Sequence, residues 1–245
     1  MPPLFRCLIL ACMVLADPAL ASPWPRQVKE IFLALSAERD ARGNGYAGLY
    51  GEYGLRRRTL GFELGRSSAG ETSAMIWLQR PLGRGRGAVR WGLSLGSGVI
   101  ERNGIYMPVG QVGAGWGRGF DAVPLLDRIP GGGWLAVEAR VKVAGKLRDE
   151  AEIAQLAASG AGRLAYLTPE TSVKAEVTLG WHATERLMLI GQLRLEDRQD
   201  SGFSSRLAAS AVRELFGPVK LELGAIGPLS GQGEAAVKLG FWVGF

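Results

Sequence analysis

Cysteine is nearly absent from this chain: Cys7 and Cys12 are the only two, and both fall within the first 21 residues. If that stretch is removed, no thiol remains for a disulfide, a nucleophile or a Cys/His metal cluster. Histidine is scarcer still, with His182 alone in 245 residues. Beyond the amino-terminal segment there is no run of about 18 apolar residues, which excludes a helical membrane protein. Phosphate-cradling loops are also missing. Gly83-Arg84-Gly85-Arg86-Gly87 and the Gly113 to Gly119 stretch have neither the G-x-G-x-x-G spacing nor a Walker lysine, and read as a turn and a strand end.

The amino terminus carries an export pattern. One positive charge lies between Met1 and Arg6, Leu8 to Ala16 form a short apolar run, and Ala19-Leu20-Ala21 is a small-x-small site before Ser22. This predicts a cleaved secretory signal over residues 1–21. A lipobox reading at Cys12 would leave a stunted apolar region and discard the site at Ala21. Residues 22–245 show no composition break or Pro/Ser linker and read as one domain.

What the chain has in abundance is alternation. Over residues 234–245 one face collects Val237, Leu239, Phe241, Val243 and Phe245, and the other Glu234, Ala236, Lys238, Gly240, Trp242 and Gly244. Successive strand side chains point to opposite sides, so this segment has one apolar face and one face of charged and small residues. Such a strand suits a barrel in lipid, with hydrocarbon outside and water or polar packing inside. With Phe241 and Phe245 on the apolar face and Phe245 last, the segment resembles the C-terminal signature strand of Gram-negative outer-membrane β-barrels. The resemblance implies a bacterial outer-membrane location, a surround of outer-membrane lipid, and reading of Phe241 and Phe245 by the barrel assembly machinery. It identifies no subfamily and no substrate.

Alternation and turn residues together predict an all-β, antiparallel up-and-down transmembrane barrel of about twelve strands, with ten or fourteen as the neighbouring even counts. The strands fall near 28–38, 45–54, 58–66, 71–80, 87–97, 105–117, 133–146, 171–181, 186–195, 203–213, 218–226 and 234–245. An even count returns the chain to the periplasm where it began. Connection 118–132 is long for a periplasmic turn, and 147–170, the longest outer one, suggests a short helix from Ile153, Leu156 and Ala157. Tyr53, Trp91, Trp116, Trp181 and Phe245 fall at periplasmic strand ends, as in an aromatic girdle; Trp134 lies at that level on the opposite phase. A soluble β-sandwich shares the period of two. Export, the even meander, the aromatic ends and the terminal Phe together favour the barrel.

On the expected inner phase lie Arg90, Arg140, Lys142, Lys174, Arg194, Arg206, Lys220 and Lys238, against Glu52, Glu63, Glu138, Glu176, Glu222 and Glu234. Charges are too costly to leave unpaired in a dry interior, so they either pair across strands or face water. Twelve strands enclose more space than the side-chain-filled eight-stranded type. These residues therefore point to a narrow passive channel for small polar or anionic solutes with weak anion preference. The alternative is a closed structural or interaction barrel, blocked by ion pairs or an inward-folded loop. A hairpin centred near Ser230 predicts Leu221 opposite Leu239 and Glu222 beside Lys238. Inner glycines such as Gly61, Gly65, Gly92, Gly224 and Gly240 leave room for larger neighbours or for lumen.

Enzymatic readings have little to build on. His182 falls in a predicted exposed turn without an evident serine partner, so an outer-membrane hydrolase ranks third and no cofactor is implied. The net charge of +6 suits anionic partners, but export and the lack of a basic helix or RNA-binding aromatic signature argue against nucleic acid. Arg56-Arg57-Arg58 reads as a solvated periplasmic turn.

Overall fold

The structure is a computed structural model that describes residues 24–82, 89–160 and 162–245. The expected export signal and the 83–87 glycine cluster lie outside the described residues. Twelve strands run in chain order: β1 (Ile31–Asp40), β2 (Gly45–Leu55), β3 (Arg58–Ser67), β4 (Glu71–Leu82), β5 (Val89–Arg102), β6 (Ile105–Gly119), β7 (Gly133–Leu147), β8 (Leu167–Thr184), β9 (Leu187–Arg198), β10 (Gly202–Phe216), β11 (Val219–Ser230) and β12 (Ala236–Gly244). Each pairs antiparallel with its sequence neighbours, and β1 pairs with β12 to close the barrel. Closure leaves no exposed sheet edge, which rules out the two-sheet sandwich.

Which phase faces out is settled by exposure. Leu35, Leu64, Ile76, Leu93, Leu95, Val112, Leu207, Leu223, Val237 and Leu239 all stand exposed on the outer wall, Leu95 at 68%. An apolar surface that encircles the molecule is untenable in water and is what hydrocarbon requires. No helix among the described residues is long and apolar enough to cross a membrane; the spans are strands. Trp24 and Phe245, the two ends of the described chain, lie at one end of the barrel, here called the terminal end, and the other is the loop end. On the outer wall at the terminal end Trp91 pairs directly with Trp116, their rings 6.4 Å apart, and Tyr53 and Phe245 are exposed beside the same rim. Trp181 donates its indole N–H to the Pro130 carbonyl at 2.8 Å.

The strand boundaries move in instructive ways. β1 starts at Ile31, not Val28, because Lys29 takes a positive φ of 72° that ends the extended chain. β5 runs on to Arg102 and turns through Asn103 and Gly104, both at positive φ. That is a two-residue hairpin turn in place of the expected loop over 98–104. β8 begins earlier and β9 ends later than turn residues suggest, so inner positions continue toward the loop end. β12 begins at Ala236 and leaves Glu234 in the preceding loop, where it meets Arg42. The last hairpin is shifted by two residues: Leu223, not Leu221, faces Leu239, and Gly224 faces Lys238. Gly231 and Gly233, both at positive φ, hold the turn one residue beyond Ser230.

The described residues of the two long connections carry short helical elements. In 147–170 a short helix α1 (Glu150–Ala158) is capped by Asp149, whose side chain accepts the Glu152 N–H. In 118–132 two 3-10 turns bring Phe120 into a buried position, and the His182 N–H donates to the Gly132 carbonyl at 3.1 Å.

Candidate functional site: the lumen

The inner phase divides into two halves. At the terminal end, Trp134 and Ala136 of β7, Met188 and Ile190 of β9 and Val212 of β10 form a buried cluster, with Trp24 and Trp242 packed against it. Trp134 is only 2% exposed. Opposite it the wall is glycine, because a Cβ on Gly180 would overlap the Trp134 ring. Phe32 meets Trp242 edge to face at 5.7 Å. One polar unit is embedded here: Glu222 accepts from Lys238 Nζ at 2.8 Å and from the Trp242 indole at 3.0 Å. The two charges expected side by side therefore do meet, though diagonally.

The chain before β1 belongs to the same layer. Arg26 is buried, its Nε 2.6 Å from Glu52 Oε2 and its Nη1 3.1 Å from Glu30, while its guanidinium lies 4.5 Å from the centre of the Phe32 ring. Glu52 also accepts the Tyr50 hydroxyl at 2.5 Å. His182, expected in an exposed turn, instead sits on β8, which continues through a bulge to Thr184; its ring lies 5.6 Å from that of Trp134.

Toward the loop end the lumen opens into a cavity of about 840 Å³. A second buried cluster, Met75, Trp77, Val109 and Ala144 with Tyr50 and Ile100 packed against it, meets the cavity at Tyr50. Glycines on facing strands admit it, since Cβ atoms at Gly61 and Gly96 would run into Trp77. Gly65 is likewise filled by Tyr46, Gly224 by Ser210 and Gly240 by Glu222, so much of the room left by inner glycines goes to side chains. The cavity reaches down to Tyr50, Glu138 and Arg140, which also border a void of about 20 Å³ with Trp77, Gln79 and Gln111.

Of the ten sequence-predicted lumen residues, seven line this cavity: Glu138, Arg140, Lys142, Lys174, Glu176, Arg194 and Arg206. Glu222 and Lys238 belong to the layer beneath, and Lys220 pairs with Glu214 at 3.3 Å. Sequence reasoning missed Arg102, Glu196 and Arg198 because it ended β5 and β9 too soon, Asp200 because it lies in the following turn, and Glu38 and Glu71 because they fell at the ends of predicted strands and were not assigned to the inner face. With them included, the charged lining among the described residues is seven basic and nine acidic groups. The expected slight basic excess is thereby corrected.

Most of these charges are paired. Arg102 spans Glu71 at 2.8 Å and Glu170 at 3.3 Å, and Arg198 meets Asp200 at 3.0 Å. Arg194 pairs with Glu38 at 3.1 Å, Lys174 with Glu196 at 3.2 Å and Arg140 with Glu138 at 3.4 Å. Lys142 and Arg206 have no ion pair within 4.0 Å among the described residues. Among those residues no group of three or more His, Cys, Asp or Glu side chains is placed to hold a metal ion.

No protein-family model and no curated protein matches the sequence. Solved structures do match the fold. The NanC porin aligns with a TM-score of 0.53 at 9% identity, over 87% of this chain and 98% of that one. The KdgM porin gives 0.52 at 6% identity over 87% and 99%. KdgM solved in complex with disordered oligogalacturonate gives 0.54 at 6% identity over 88% and 99%. At these identities the likeness concerns architecture. The chain shares the closed antiparallel β-barrel fold of these porins.

Proposed function

We propose that this barrel is a narrow passive channel for small polar or anionic solutes in the bacterial outer membrane. The observation that carries the reading is the loop-end cavity, in which Lys142 and Arg206 are left without ion-pair partners while the acids around them are largely engaged. The fold shared with porins, one of them solved with an acidic oligosaccharide, supports it. A low-dielectric wall focuses the field of those two cations on the passage. Nine acidic groups oppose the seven basic ones in the lining, so the net charge preference is weak, and screening over roughly 10 Å at 0.1 M salt removes it at high ionic strength.

The test is the zero-current potential of refolded protein in a planar bilayer under a KCl gradient. Lys142→Glu with Arg206→Glu moves it toward cation preference without breaking a pair, whereas the same change at Arg140 or Lys174 also breaks one. An unmoved potential contradicts the assignment of these two side chains. A closed structural barrel is the second reading, favoured by the packed layer at the terminal end. It predicts silence from protein shown to be folded.

The outward faces of Phe241 and Phe245 support a role in recognition by the barrel assembly machinery. Deleting Phe245 or replacing it with Asp is expected to lower the yield of heat-modifiable, membrane-inserted protein while leaving export intact. An unchanged yield contradicts that role.

A further inference from the structure

The segment Trp24–Glu30 crosses the terminal mouth of the barrel instead of prolonging β1. The ladder to β2 persists as far as Lys29, whose N–H donates to the Gly54 carbonyl at 2.8 Å. There the positive φ of Lys29 turns the chain inward. Its backbone then passes so close over Gly54 that a Cβ there would overlap the Gln27 carbonyl. The Arg26 N–H reaches Thr59 Oγ1 on β3 at 3.1 Å, and Trp24 ends against the cluster of β7, β9 and β10. In a twelve-stranded ring β3 and β9 are diametrically opposed. The segment therefore crosses the mouth from the β2–β3 wall to side chains that project inward from β7, β9 and β10, beneath the floor of the cavity.

Among the contacts that hold the bridge is a buried charge pair, Arg26 on Glu52. A buried pair contributes little net stability compared with apolar packing of the same volume, yet loss of one partner is strongly felt. Closure that hangs on such a pair is releasable, whereas a purely apolar plug of the same size would be held by packing alone. We propose that Trp24–Glu30 is a plug across the terminal mouth, latched by Arg26 on Glu52, and that its withdrawal opens the passage; the inference rests on the channel reading. The plug makes closed the resting state, and wild-type openings are infrequent and brief.

The test uses two independent ways of freeing the segment. Arg26→Cys with Thr59→Cys, in a Cys7→Ser, Cys12→Ser background, removes the latch when reduced and ties the segment to β3 when oxidised. Gly54→Ala leaves Arg26 and Glu52 in place and expels the segment by steric overlap. In single-channel recordings of heat-modifiable protein, the reduced pair and the Gly54→Ala variant are each expected to raise open probability on the order of tenfold over wild type, the scale set by losing one charge-assisted bond. Oxidation of the pair returns it to the wild-type level or below. If wild type and every variant conduct alike, the plug is overturned and the channel stands. If folded protein is silent in every form, both are overturned.

Discussion

The two halves of the lumen are built by the same strands on the same phase and filled in opposite ways. β7 contributes Trp134 and Ala136 to the terminal layer, and then Glu138, Arg140 and Lys142 to the cavity. β9 does the same with Met188 and Ile190 followed by Arg194, Glu196 and Arg198. Alternation decides which side chains point inward, but depth decides whether that interior is dry or wet. The terminal half is a packed core in which Trp134 is matched by a glycine and apolar partners and the embedded charges are paired. The loop half is a surface folded inward, where ions pair loosely and can exchange partners. Substitutions in the first half should change stability, and substitutions in the second should change what passes.

The sharpest break in that contrast is expected at Trp134. Trp134→Ala should cost about 3–5 kcal/mol in reversible unfolding, through lost burial and the cavity left behind. Its indole N–H is buried with no hydrogen-bond partner, so Trp134→Phe should cost far less, below about 1.5 kcal/mol. Equal losses for the two would mean that the polar atom and not the ring volume matters. Next comes the embedded pair. Lys238→Met strands Glu222, which is 2% exposed, and should cost about 3 kcal/mol; exchanging the two charges should be milder than reversing either alone. A smaller loss, about 1–3 kcal/mol, is expected for Gly180→Ala, from the collision with Trp134. The smallest belongs to the cavity: Lys174 is half exposed in its pair with Glu196, and Glu196→Gln should change stability by less than about 1 kcal/mol. If that change rivals Lys238→Met, the two halves do not differ as described.

The strand count, the outward face and the seven charges on one wall of the cavity were legible because a period of two is imposed by covalent geometry. The filling was not, because it depends on the register between strands and on which large side chain takes the room a glycine leaves, and spacing within one strand carries no such information. Gly61 invites either lumen or a large neighbour, and only the β3–β4 register places Trp77 beside it. The same limit hid the role of Trp24 and Arg26, whose partners lie on β2, β3, β7, β9 and β10. The register of the last hairpin was misjudged by two residues because Ser230 and Gly231 are equally good turn centres by composition, and only the positive φ at Gly231 selects one. The basic excess disappeared for a simpler reason: acids cluster near strand ends, where turn residues obscure alternation.

The most direct measurement is single-channel recording of refolded, heat-modifiable protein under a KCl gradient, with Lys142→Glu, Arg206→Glu protein alongside. A passive channel lined by the loop-end cavity predicts discrete steps from both, a zero-current potential close to zero for the parent, and a shift toward cation preference in the variant. Silence from folded protein would contradict the channel, and steps with identical potentials would show that ions pass without meeting Lys142 and Arg206.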